Sequence, residues 1–234
     1  MKQKVIGLAM VLLMAGTTGF AQQKPFQFGI KFAPNISWLK TETDGYENEG
    51  AGIGFAWGFV ADFTLTENYY VSTGFDVTWN NAGISYPFDD QVLNKEGVLY
   101  RDYKLKYLQI PLTLKMKTNK FNEKHSFYGQ LGLGSGFRIG AKAKDQFEYT
   151  DESGQKIKTP EEESNITDDI NIFKASLIVG GGMQFHIDES TLLFVGINYN
   201  NGFSNILEGN NNVDGTLKQK AQLHYLELSV GVIF

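Results

Sequence analysis

A chain of 234 residues that is 42% hydrophobic, holds 26 glycines against 5 prolines and carries a formal charge of -5 has room for one large domain or two small ones. Its mean hydropathy of -0.24, with no internal run near the roughly 20 apolar residues of a spanning helix, excludes a helical membrane protein. It does not exclude a membrane β-barrel, whose strands hide their apolar half by alternation. The absence of cysteine excludes disulfides, thiolate metal sites and cysteine nucleophiles, and the acidic balance argues against a nucleic-acid partner.

In chain order, Lys2 and Lys4 precede the apolar run Val5 to Ala15, and small residues follow up to Ala21. That is the pattern of a cleaved secretory signal over residues 1–21, leaving 22–234 as an exported domain. Phe28, Ile30, Phe32, Ile36 and Trp38 then share one parity against Gly29, Lys31, Ala33, Asn35 and Ser37, which predicts a first strand. After a polar loop, Ile53, Phe55, Trp57, Phe59, Phe63 and Leu65 alternate with small or polar residues as a second strand. A tight turn leads to the third, whose apolar row is Tyr69, Val71, Phe75, Val77 and Trp79. The fourth, about Arg101 to Lys117, has Leu108, Ile110, Leu112, Leu114 and Met116 in phase but Tyr103, Leu105 and Tyr107 out of phase, so a bulge is expected near Tyr107 and Leu108. The fifth runs from Phe127 to Ile139, the sixth from Phe173 to Phe185, the seventh from Leu193 to Tyr199 and the eighth from Leu226 to Phe234.

Long connections at 39–51, 83–100, 142–170 and 203–220 alternate with short turns at 66–68, 118–124 and 188–189. This predicts an all-β fold: an eight-stranded antiparallel up-and-down transmembrane β-barrel with a side-chain-filled interior, the short turns and both termini on the periplasmic side. With the oily parity turned to lipid, Trp38, Trp57, Trp79, Tyr103 and Tyr107 are expected to gather toward the long-loop rim and Tyr69 to lie by a short turn, as interface aromatics. Lys31, Asp62, Asp76, Arg138, Lys174 and Glu227 take the inward parity. Buried charge is costly unless paired, so a network is expected, with Lys31 and Glu227 as its first pair.

No catalytic, cofactor or metal site is expected. His125, His186 and His224 lie on different strands without ligand spacing, and Gly132, Gly134 and Gly136 follow strand parity rather than a phosphate-loop pattern. Glu161, Glu162, Glu163, Asp168 and Asp169 read as a solvated charge run before they read as a calcium loop. A rim-located enzyme would have to bring His224 to Asp102 or Asp214.

The strand YLQIPLTLK (Tyr107 to Lys115), the Gly-rich GQLGLGSGFRIG (Gly129 to Gly140) and FGIKFAPNIS after the signal resemble the PorT-like family of Bacteroidetes outer-membrane β-barrel proteins. The resemblance implies an eight-stranded outer-membrane barrel, and the founding member's part in type IX secretion and gliding implies a place near that machinery. It implies no catalytic residues. Phe234 resembles the terminal aromatic read by the outer-membrane assembly machinery. The expected protein is therefore a non-enzymatic structural or interaction component, in contact with outer-membrane lipid and assembly machinery, meeting a protein partner through loops 142–170 and 203–220. The alternatives are a small-solute channel, a rim-located enzyme, and a soluble lipocalin-like barrel with its apolar face inward.

Overall fold

The computed structural model describes residues 25–234 except 121, 123 and 189, so the expected signal segment 1–21 lies outside the described residues. Ten strands follow in order: β1 (Phe26–Thr41), β2 (Glu47–Thr66), β3 (Tyr69–Asp90), β4 (Lys95–Lys117), β5 (His125–Thr150), β6 (Lys156–Lys158), β7 (Glu162–Asn165), β8 (Phe173–His186), β9 (Leu192–Gly202) and β10 (Ala221–Ile233). Eight of them close a ring. Each of β1 to β4 pairs antiparallel with the next, β5 passes to β8, β8 to β9, β9 to β10, and β10 returns to β1. The short β6 and β7 pair with the upper part of β5, beyond β8.

The wall has an apolar band on the outside because, over the lower part of each ring strand, one parity is apolar and turned out. Phe28, Ile53, Leu112, Leu133 and Ile197 are among its most exposed members. Water would not tolerate that much apolar surface, whereas hydrocarbon favours it.

Two expectations are corrected. The long connections are mostly strand: β2 to β5 run 20 to 26 residues, about twice the 9–11 that cross a bilayer. Loop 39–51 therefore shrinks to the residues between Thr41 and Glu47, and 83–100 to those between Asp90 and Lys95. Segment 142–170 holds the end of β5, β6, β7 and a 3-10 turn at Thr167–Asp169, and 203–220 is tied down by bridges Ile170 to Leu207 and Asn210 to Lys218. These stretches read as loops because, above the membrane, the outer face turns polar while the apolar residues move inside.

The second correction concerns β4, whose inward parity never changes. Leu99, Tyr103, Leu105, Tyr107, Gln109, Thr113 and Lys115 are all buried inside. The bulge lies on β5: Lys106 pairs with Gly140 and Tyr107 with Arg138, leaving Ile139 as the extra residue. Tyr103 and Tyr107 are thus core residues, 2% and 0% exposed, and not members of an interface girdle.

The interior is layered. At the outer end, Leu39, Ile84, Tyr103, Leu105, Ile170 and Leu223 belong to one apolar cluster that also takes in Ile206 and Leu207 from the covering segment. Each such side chain gains about 1.5–3 kcal/mol on leaving water. At the short-turn end, Tyr128, Leu192, Phe194 and Ile233 make a second, smaller cluster. Charged and amide side chains fill the level between.

Candidate functional site: the charged interior and the outer rim

Lys31 on β1 is the hub of the middle layer. Its ammonium donates to Asp76 Oδ2 at 2.8 Å and to Glu227 Oε1 at 3.2 Å. Gly58 of β2 stands between Lys31 and Asp76 in register, and a Cβ there would collide with Asp76 Oδ1, so the glycine gives the two side chains room to meet. Asn198 donates to Glu227 at 3.0 Å and to Ser229 at 2.9 Å, and Gln130 donates to Asn198 at 2.6 Å. Lys115 pairs with Asp62 at 2.8 Å and lies over the Tyr128 ring. A cavity of about 50 Å³ opens beside Lys31, Asp76, Gln109, Lys115 and Glu227, enough for a few waters by volume.

Lys174 sits apart from the carboxylates. It donates to Gln109 Oε1 at 2.8 Å and lies 5.0 Å and 4.9 Å over the rings of Tyr107 and Tyr225, while the Tyr225 hydroxyl donates to the same Gln109 oxygen at 2.7 Å. Two aromatic faces and an amide oxygen thus replace a counter-ion. Arg138 is not drawn into the network either, since its guanidinium donates to the Ile170 carbonyl and ties the wall to the covering segment. Lys115 and Gln109 were missed in the sequence, although both share the parity of Thr113 against the apolar row Leu108 to Met116.

Of the interface aromatics, Tyr69 lies outside at the short-turn rim and Trp57 lies outside within the apolar band, opposite Phe32 and Val77. Trp79 faces out beneath Lys106, whose ammonium is 4.6 Å from the ring. Trp38 meets Tyr199 and His224, with ring centroids 6.1 Å and 6.0 Å away. Tyr199 Oη is 3.2 Å from His224 Nδ1. His125 packs edge-on to Phe185, and His186 lies against the Lys124 carbonyl. His125 and His186 are thus neighbours on the paired strands β5 and β8 at the short-turn end, while His224 stands apart from both. Phe234 donates its N–H to Phe28 O at 2.8 Å and packs on that ring, continuing the β1–β10 seam.

The acid run at the outer end is held by lysine and arginine. Glu163 accepts from Lys104 at 2.6 Å and from Lys142 at 2.9 Å, Glu161 from Lys144 at 3.3 Å, and Asp169 from Arg101 at 3.3 Å. Arg101 also grips Asp145 through two bonds of 2.7 Å. The bonds from Lys104 and then Lys142 lower the Glu163 pKa from 4.5 to about 2.

No curated protein matches the chain. Among solved structures, it resembles Ail, the attachment invasion locus protein of Yersinia pestis, at 18% identity and a TM-score of 0.37 over 90% of this chain and 100% of that one. OprG of Pseudomonas aeruginosa aligns at 13% identity and a TM-score of 0.46, covering 89% of this chain and 95% of that one. The family model described as outer membrane protein beta-barrel domain matches residues 20–208. The chain belongs to that family and is an outer-membrane β-barrel, seated in the lipid bilayer with its apolar band.

Proposed function

We propose that this barrel is a non-enzymatic structural or interaction component of the outer membrane, of the PorT-like kind and accessory to type IX protein secretion, acting through its outer end. The observation that carries the reading is the filled interior. A solute path needs a continuous polar lumen, whereas here Tyr103, Leu105, Tyr107 and Ile170 close the outer third and Tyr128, Leu192 and Ile233 the periplasmic end. Transport is then a poor use of the fold, and binding falls to the rim, where side chains sit on a rigid scaffold.

Segments 142–170 and 203–220 supply that rim as one surface. Glu208 N–H donates to Asp169 O at 2.8 Å and Ile170 forms a β-bridge with Leu207, which joins the two segments. A surface already ordered before binding loses less entropy when a partner docks. Photo-crosslinkers at the exposed positions Glu152 and Asn212 are expected to capture one discrete protein in intact cells, and a deletion strain is expected to secrete less. Absence of any product from cells that hold the inserted barrel, with normal secretion on deletion, would overturn the reading. Phe234 is the side chain offered to the assembly machinery, so Phe234→Ser is expected to lower the amount of heat-modifiable barrel in the membrane.

A further inference from the structure

The outer wall changes character at one level on three adjacent strands. On β1, β10 and β9 the lipid-facing rows end in Ile36, Leu226 and Ile197, which are 51%, 44% and 55% exposed. The next outward positions are Trp38, His224 and Tyr199, and the ones above them are Lys40, Gln222 and Asn201. The aromatic row therefore stands at the boundary between hydrocarbon and headgroups, where rings with one apolar and one wet side are favoured.

The three rings are not scattered along that boundary. Trp38, His224 and Tyr199 lie 12° to 14° from parallel in every pairing, with centroids 6.0 to 6.3 Å apart. They form one slab, in which His224 is only 5% exposed and Trp38 and Tyr199 present the outer surface. In register, Trp38 faces His224 across the β1–β10 seam and Tyr199 faces Leu226 across β9–β10, so the sheet itself sets the rings side by side. The Tyr199–His224 contact at 3.2 Å holds the slab together.

A cleft of about 440 Å³ lies over this slab, bordered by Lys40, Asn48 and Asn201. Asn48 is occupied with the Leu39 carbonyl and the Gly50 N–H. Lys40 has no ion-pair partner and the Asn201 side chain no protein hydrogen bond among the described residues. Aromatic faces beside a few placed polar groups are the makeup of a small-molecule site. A flat aromatic face suits the C–H face of a sugar ring, a free amide suits its hydroxyls, and a free ammonium suits an attached phosphate or carboxylate.

We infer that Trp38, Tyr199 and His224, with Lys40 and Asn201, form a binding site for the anionic sugar headgroup of an outer-leaflet glycolipid. The inference depends only on the outer-membrane location, not on the secretion role, so either can fail without the other.

Native mass spectrometry of the purified barrel in detergent micelles, with synthetic bis-phosphorylated lipid A and phosphatidylglycerol at equal concentration, tests it. The unchanged protein is expected to retain lipid A over phosphatidylglycerol by about tenfold. Trp38→Leu with Tyr199→Leu keeps the surface apolar for insertion and is expected to bring that ratio near one, with the heat-modifiable gel shift preserved. Lys40→Gln with Asn201→Ala, at polar positions outside the bilayer, is expected to lower the ratio even if the first variant fails to insert. A ratio near one for the unchanged barrel would mean a girdle that anchors without reading the headgroup, and would overturn the inference. So would inserted variants that retain the full preference.

Discussion

Lys31 holds two carboxylates that would otherwise face each other in a layer without bulk water. Removing one partner of a buried ion group leaves the rest uncompensated, at a cost of about 3–5 kcal/mol. Lys31→Met is therefore expected to lose that much stability in urea unfolding in micelles, and adding Asp76→Asn and Glu227→Gln to recover part of it. At the rim, Glu163 has a pKa lowered by Lys104 and Lys142 to about 2. Its pairing is complete above the ordinary value of 4.5 and is lost as pH falls through about 2. An NMR titration of the Glu163 carboxyl is expected to show its midpoint well below 4.5, and a midpoint at 4.5 would show that the lysines do not hold it. The inward parity of Lys31, Asp76 and Glu227 was legible in the sequence. The cage around Lys174 was not, because Tyr107 and Tyr225 take part through their ring faces, which no spacing encodes.

Along β4 the alternation never breaks, yet the meaning of each face reverses. Below Lys106 the outward residues are apolar and the inward ones polar, while above it Asp102 and Lys104 point out and Tyr103 and Leu105 point in. The solvent changes from hydrocarbon to water over that distance, so the same pleat calls for opposite chemistry. A sequence reading that assigns apolar to lipid throughout converts this into a bulge at Tyr107. The true bulge at Ile139 is silent, because Phe137, Ile139, Ala141 and Ala143 keep one parity in sequence while the last two turn inward. Tyr103→Ala is expected to destabilise the barrel by about 3–5 kcal/mol through the cavity it leaves. Cysteines placed at Lys104 and Leu105 should differ in reaction with a membrane-impermeant maleimide on intact cells: rapid for the first and negligible for the second. Equal labelling would contradict the inward placement.

For the molecule as a whole, eight strands, closure and compartment were legible from alternation and turn spacing, since a membrane barrel must repeat one pattern until no edge remains. Its height was not legible. The part of β2 to β5 that rises beyond the bilayer is built like a soluble β-protein, with an apolar core capped by Ile166, Ile170, Ile206 and Leu207. A polar exterior over such a core reads as loop when lipid is assumed outside. The barrel is thus two environments on one set of strands, and the apolar clusters at both ends isolate the charged layer between them. Conductance in planar lipid bilayers tests that closure most directly. Purified protein whose insertion is verified by its heat-modifiable gel shift is expected to give no stepwise current above the bare bilayer, and reproducible conductance steps would contradict a closed interior.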